Sequence, residues 1–356
     1  MIKMIMYAVF LVIPFLLYIK IKSINKKSVL FFSMFLLWLF SSLRDGTIGA
    51  DYPVYIYYFK QIAVYKTAYF REKGYVLFNY LISLISTHYI VLAGFINAMF
   101  FVPLYYYIHK NVDKKYWGLA LFLFVANPYM YVQTSFNILR QCCASGILLF
   151  AAESLKKNKK ILFVIWVLLA SQFHRSALGA FTLLLITHVH WTRKKWFIVA
   201  IVSFLLSILP IQMIINYVAL FFGYGGYTTF EASLLNNPAY ILLISFYVFV
   251  LCRHYNALFT SSSEKFFIDI FMFTSCFLLF AIRNDAFYRV RIIFSLIALP
   301  AVPIIFNNRK KYKSFGIYGL IYSQLYLLYN VGFYCSYILY LFFTNKTNYV
   351  PFRFFF

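Results

Sequence analysis

The chain has 356 residues, of which 63% are hydrophobic, 23% aromatic and only 12% charged. Soluble domains are about 45–50% apolar and about 25% charged, so the composition excludes a soluble globular protein and points to an integral membrane one. The net charge of +24 would suggest nucleic acid in a soluble chain. Here most lysines stand in short stretches beside apolar runs, the pattern that orients membrane helices, and nucleic acid is discounted as a partner.

Apolar runs of about 17–25 residues between short charged loops predict α-helices, not the alternation of an outer-membrane barrel. The expected fold is all-α integral membrane: a single polytopic domain over 1–356, a helical bundle of about 12 transmembrane helices. Short interfacial helices are expected in its extracytoplasmic loops. In chain order the spans fall near 3–19, 28–43, 88–108, 116–131, 134–155, 160–172, 175–191, 196–216, 238–253, 265–282, 286–306 and 315–341. The last is long enough for one tilted helix or two short ones, so the side of the C-terminus stays open. The first run, Ile5 to Tyr18, has no small-residue cleavage site and is followed by Lys20, Lys22, Lys26 and Lys27, as an uncleaved span would be. No internal repeat is visible.

Lysine-rich connections recur after every second span: at Lys110–Lys115, Lys156–Lys160, Arg193–Lys195, Arg253–Lys265 and Arg309–Lys313. All then fall on one side, which the positive-inside rule makes cytoplasmic. The N-terminus and the long loops 44–74 and 217–237 fall outside. Of the arginines only Arg193, Arg253 and Arg309 are on the lysine side. Arg44, Arg71, Arg140, Arg175, Arg283, Arg289 and Arg291 map to outer loops or outer ends of spans. Lysine satisfies a topology rule as a hydrated point charge, whereas arginine's planar fork recognises carboxylate or phosphate in bidentate fashion. An outward arginine set predicts an anionic ligand at the outer leaflet.

The stretch Ser42–Phe59 holds Arg44, Asp45 and Asp51 with Gly46, Gly49 and a row of tyrosines, in a chain with nine acidic residues. Mixed charge beside a span marks function more often than anchoring. Part of loop 44–74 is expected to lie as an interfacial helix, and the glycine- and aromatic-rich loop 217–237 to act as a lid. Gln133, Asn137, Arg140 and Gln141 recur at spacings of three and four, which places them on one face of a regular helix and suggests a lined cavity. His174-Arg175 stands between two short spans, where the histidine could accept a proton or simply anchor. Arg289 and Arg291 lie on nearly opposite helix faces, so at most one enters a shared cavity. Tyr52 and Tyr55 are candidates for stacking on sugar. The five cysteines lie in or beside apolar runs with no metal or redox spacing and read as packing residues. No metal and no cofactor is expected.

These residues also form a pattern. Arg44…Gly49-Ala50-Asp51-Tyr52-Pro53-Val54-Tyr55 is followed by Glu72-Lys73-Gly74-Tyr75 with Asn79, then Asn137-Ile138-Leu139-Arg140-Gln141, then Phe173-His174-Arg175-Ser176-Ala177. Arg289 with Phe294 and Pro300, and the ending Pro351-Phe352-Arg353-Phe354, complete it. In this order the motifs resemble the EpsG family of bacterial exopolysaccharide-biosynthesis membrane proteins, grouped with Wzy-type repeat-unit polymerases. Ala50 and Ile293 depart from the family's usual threonine and tyrosine, and Phe352-Arg353 from its usual Tyr-Lys; neither Ala50 nor Ile293 removes a charge.

The resemblance implies a membrane glycosyltransferase at the outer face of the bacterial cytoplasmic membrane. It would join undecaprenyl-pyrophosphate-linked repeat units, donor to acceptor, into O-antigen, capsular or exopolysaccharide. Besides membrane lipid, a flippase and a chain-length regulator are the partners it suggests. The catalytic candidates are Asp51 as base, His174 as second choice and Arg140 as stabiliser of the departing pyrophosphate. Arg44, Tyr52, Tyr55, Glu72, Asn137, Gln141, Arg175 and Arg289 are the substrate-binding candidates, with Arg44 either holding phosphate or orienting its loop. Rival readings are a flippase without chemistry, a polysaccharide ligase and an O-acyltransferase. Polar groups crowded at one membrane face, without repeats, favour the enzyme over the flippase.

Overall fold

The computed structural model describes residues 26–66, 72–127, 129–208, 252–281 and 285–308, together with 328, 332, 335, 336, 339, 353 and 354. The expected span near 3–19, the loop 217–237 and nearly all of 238–253 and 315–341 lie outside these residues, as do Arg71, Arg283 and Arg309. The described residues are helical, with an isolated antiparallel bridge between Arg44 and Phe354 and no named strand. The chain divides into two compact units, Met1–Leu178 with Gln324–Phe356, and Gly179–Ser323.

The first unit contains α1 (Lys26–Ser42), α2 (Tyr52–Tyr65), α3 (Lys73–Ser83), α4 (Tyr89–Asn111) and α5 (Trp117–Ala126). A π-helix over Tyr129–Asn137 leads through Ile138 into α6 (Leu139–Lys156), followed by α7 (Lys160–Ser171). Helix α4 is the hub, packed against α1, α6 and, more lightly, α2, α3 and α5. Gly146 of α6 permits the α4–α6 approach, because a Cβ there would collide with the Met99 carbonyl. Small residues do this service between membrane helices, where close backbone approach replaces the hydrophobic driving force. Side-chain hydrogen bonds link the interior faces of α1 and α4: Trp38 Nε1 donates to the Gly94 carbonyl at 2.9 Å, and Asn97 Nδ2 to Ser42 Oγ at 3.4 Å.

The second unit contains α8 (Thr182–His188), α9 (Arg193–Ile208), α10 (Ser262–Ala281), α11 (Asp285–Ile297) and α12 (Ala301–Asn308). Helix α10 is its hub and packs on α8, α9, α11 and α12. Trp191 and Trp196 stack at 4.1 Å, and the Tyr255 hydroxyl donates to Asp269.

Two helical segments, Tyr89–Asn111 and Val290–Asn308, are long and apolar enough to cross a membrane unaided, and Lys160–Ser171 is a shorter apolar helix. Large apolar side chains stand outward along α1 (Phe31, Phe32), α7 (Ile161, Ile165) and α9 (Ile198, Leu205). Contiguous apolar surface of that kind is what lipid covers and water does not. The sequence missed helix α3, left between loop 44–74 and the next span: it has eleven residues and carries Gly74 and Asn79, so no long apolar run announces it. It also expected regular α-helix through the start of span 134–155, where the π-helix lies.

Candidate functional site

The site forms where three segments meet: the turn 43–51, the start of α3, and the junction between π-helix and α6. The π-helix explains itself locally. Asn127 Oδ1 accepts the Tyr129 N–H at 3.1 Å, Thr134 Oγ1 donates to the Tyr129 carbonyl at 2.7 Å, and Ser135 Oγ to the Tyr131 carbonyl at 2.7 Å. Side-chain hydroxyls thus occupy carbonyls within the widened turns. The Ile138 N–H closes the last of these turns on the Gln133 carbonyl at 3.1 Å. π-Helical turns are rare and recur at functional sites.

Arg44 is fully buried against this segment. Its guanidinium donates to the carbonyls of Ser41 and Phe136, the latter at 3.1 Å, and Nε reaches the Ile48 carbonyl at 3.4 Å. It also lies over the Tyr52 ring at 3.7 Å. Of the two roles expected for Arg44, this geometry supports the orienting one, since the guanidinium ties the end of α1, the turn and the π-helix together. Gly49 takes part in the same approach, with φ +106° and room for no Cβ, which would come within 2.6 Å of the Phe136 carbonyl. Asp45 closes the turn by accepting from Thr47 Oγ1 at 2.6 Å and Thr47 N–H at 2.9 Å. The Thr47 hydroxyl holds its carboxyl below the usual value, against a smaller opposing effect of burial.

Asp51 precedes α2 and pairs reciprocally with Asn137. Its N–H donates to Asn137 Oδ1 at 2.7 Å, and Asn137 Nδ2 donates to its Oδ2 at 3.3 Å. Asp51 is half-buried. Three residues beyond Asn137, Arg140 Nη1 donates to Glu72 Oε2 at 2.8 Å, and the Tyr55 hydroxyl also bonds Arg140. Glu72 is buried, while a quarter of the Arg140 side chain is exposed. Tyr75 packs edge-on to Tyr55 with ring centres 6.1 Å apart, and Asn79 Nδ2 donates to the Tyr75 carbonyl.

Tyr52 and Tyr55 are both buried, the first under Arg44 and the second against Arg140 and Tyr75. They serve as walls of the site, and in this arrangement neither presents an open ring face to sugar. Burial pushes the Tyr52 hydroxyl up to about 12, with the Arg44 charge opposing, so it stays protonated.

The chain near His174 joins the same wall. The Tyr75 N–H donates to the Gln172 carbonyl at 3.0 Å, and Gly74 leaves no space for a Cβ beside Gln172. His174 is buried; its Nδ1 accepts the Ser176 N–H at 3.2 Å and lies 2.6 Å from Ser176 Oγ. With Nδ1 an acceptor, the ring proton of the neutral imidazole sits on Nε2, making that atom a donor. Arg175 is exposed at the head of the 3₁₀ stretch Arg175–Phe181, and Lys73 is exposed at the start of α3.

The structure therefore brings together Arg44, Asp51, Tyr52, Tyr55, Glu72, Asn137 and Arg140, with His174 and Arg175 reached through the Gln172–Tyr75 contact. Gln141 is fully buried in α6. Arg289 lies in α11 of the second unit, and its side chain is outside the described residues. The four-residue stripe expected of a single helix is broken at Ile138: Gln133 and Asn137 are on the π-helix, Arg140 and Gln141 on α6. Sequence reasoning missed the part played by the chain end. The Asp45 N–H donates to the Arg353 carbonyl at 2.9 Å, and Phe354 packs on Phe40 with ring centres 6.1 Å apart. The motif-like ending was its only signal. Among the described residues no group of three or more His, Cys, Asp and Glu is placed to hold a metal ion.

A first unit that holds a partly buried guanidinium–carboxylate pair and a second carboxylate paired with Asn137, in a helical chain with lipid-suited surfaces, defines a membrane protein with a polar site. The chain matches the EpsG family over residues 27–354, nearly its whole length, and belongs to that family of membrane proteins of exopolysaccharide biosynthesis. Neither the curated proteins nor the solved structures yield a match.

Proposed function

We propose that this protein is a polymerase that joins lipid-linked oligosaccharide repeat units at the outer face of the bacterial cytoplasmic membrane, crossing it about twelve times as one polytopic domain. The observation that carries the reading is the convergence of Glu72–Arg140 and Asp51–Asn137 at the π-helix break, on chain segments that the lysine distribution assigns to the outer side.

The acceptor hydroxyl attacks the anomeric carbon of the donor. Its proton passes to Asp51, and the bond from that carbon to the pyrophosphate oxygen breaks, the electron pair leaving with undecaprenyl pyrophosphate. The leaving group is already good, so the demand on the protein is charge stabilisation, which Arg140 supplies from a partly exposed position with Glu72 fixing its fork. Exposed Lys73 and Arg175 receive the lipid pyrophosphate as it arrives and departs. Asp51 is preferred to His174 as base because the Ser176 contact leaves His174 Nε2 protonated. Arg289 remains a substrate-binding candidate on the resemblance alone, as does the interaction with a flippase and a chain-length regulator.

The test is purified protein with one synthetic lipid-linked repeat unit. A ladder of products is expected, lost in Asp51→Asn and Arg140→Ala while both variants still insert and fold. A single transfer to another acceptor would make the protein a ligase, and unchanged substrate would point to a flippase. Near-normal ladders from both variants would sink the site assignment.

A further inference from the structure

On the opposite, lysine-rich ends of the helices, a cavity of about 260 Å³ opens between the C-terminal ends of α4 and α6 and the start of α7. One wall is apolar, built from Phe150, Leu162 and Trp166, with the Phe150 and Trp166 rings 5.4 Å apart. The other carries Lys110, Lys157 and Lys159, with Glu153 the one carboxylate among the described residues lining it.

Glu153 is already committed, accepting from Lys110, from Lys156 at 2.9 Å and from Asn111 Nδ2 at 2.6 Å. Lys110 and Lys156 pair with this carboxylate, and Lys157 and Lys159 line the same cavity. The α6–α7 turn fixes two of them: Asn158 takes the left-handed conformation at φ 57°, and the Lys159 N–H closes on the Ser154 carbonyl at 2.9 Å. Lys110 and Lys157 line the same cavity, and the neighbouring Lys110 charge lowers the Lys157 pKa. Helix C-termini attract lysines by themselves. That attraction does not account for three lysines lining one cavity with an apolar wall, where an anion lowers the energy of all of them.

We propose that this cavity binds one anionic phospholipid, its phosphate between Lys110, Lys157 and Lys159 and its upper acyl chain along Phe150, Leu162 and Trp166. The apolar wall selects a lipid over a free anion, and the lysine cluster selects an anionic headgroup over a zwitterionic one. The site is separate from the outer-face chemistry and stands whether or not the polymerase reading does.

The experiment uses full-length protein in neutral detergent, titrated with phosphatidylglycerol or phosphatidylcholine while its thermal unfolding is followed. Phosphatidylglycerol is expected to raise the melting temperature saturably, and phosphatidylcholine to have little effect. Lys157→Gln/Lys159→Gln, both exposed positions, should weaken the apparent affinity for phosphatidylglycerol by roughly 30-fold, the combined effect of two basic residues at an anionic surface. Lys114→Gln/Lys115→Gln removes the same charge outside the cavity and should leave it unchanged. A phosphatidylglycerol carrying brominated acyl chains should quench wild-type tryptophan fluorescence more than that of Trp166→Phe. Equal weakening in the two double variants, equal stabilisation by phosphatidylcholine, stabilisation by inorganic phosphate matching that by lipid, or quenching indifferent to Trp166 would each overturn the proposal.

Discussion

Neutralising Glu72 and Arg140, singly and together, separates what their ion pair does for folding from what Arg140 does for chemistry. The pair is 2.8 Å long, with the Glu72 side chain 7% and the Arg140 side chain 24% exposed. Breaking a fully buried pair costs about 3–5 kcal/mol, because one charge is left unpaired, while exposed pairs contribute about 0.2–1 kcal/mol. Partial exposure of Arg140 calls for discounting the buried figure, giving about 1–3 kcal/mol for Glu72→Gln or Arg140→Gln alone. The double variant removes both charges, so it should recover most of that loss. Unfolding titrations in mixed micelles provide the stability cycle, and the lipid-linked polymerisation assay provides the activity cycle. Stability should be restored in the double variant while turnover stays about 100- to 1000-fold down, the usual effect of losing a donor to developing negative charge. A coupling energy below about 0.5 kcal/mol would refute the ion pair as a structural element. Recovery of turnover in the double variant would refute Arg140 as a stabiliser of the leaving group.

Gly49→Ala places a side chain at φ +106° against the Phe136 carbonyl and should cost about 1–3 kcal/mol. Gly46→Ala meets the movable end of the Ile56 side chain and makes ordinary contact with the Tyr89 ring, so it should stay within about 0.5 kcal/mol, and equal unfolding midpoints for the two would contradict the described turn. Asp45 has a depressed carboxyl in the folded protein; its contribution is complete above the unfolded value near 3.8 and is lost as pH falls through the lower folded value. Wild type should therefore lose stability relative to Asp45→Asn as pH is lowered below about 4, and parallel pH profiles of the two would remove that linkage. Deleting residues 351–356 takes away the Arg353 carbonyl that accepts from Asp45 and the Phe354 ring on Phe40. The loss of one hydrogen bond and one ring contact should speed tryptic cleavage at Arg44 about tenfold, and an unchanged digestion rate would mean the tail does not secure the turn.

Much of the helical layout was legible because membrane helices announce themselves through runs and charges. Lys26–Ser42, Tyr89–Asn111 and Lys160–Ser171 follow the expected 28–43, 88–108 and 160–172 closely, each bounded by lysines or by a polar turn. The site was legible as a set of residues and much less as an arrangement. Glu72 and Arg140 are far apart in sequence, and only folding pairs them. Arg44 drew attention as an outward arginine, yet nothing local indicates that its partners are the carbonyls of Ser41, Ile48 and Phe136. Those acceptors belong to the backbone, which leaves no trace in residue types.

The π-helix is where sequence periodicity failed and where it is most informative. Reading Gln133, Asn137, Arg140 and Gln141 as one face assumes a constant 3.6-residue turn. Bonds such as Ile138 N–H to the Gln133 carbonyl take in an extra residue per turn, and the regular helix resumes only at Leu139. The break separates Gln133 and Asn137 from Arg140 and Gln141, while Asn137 meets Asp51 and the Phe136 carbonyl accepts from Arg44. The same irregular segment that defeats the pattern thus supplies an acceptor for Arg44 and the partner for Asp51, two of the three charged residues of the turn.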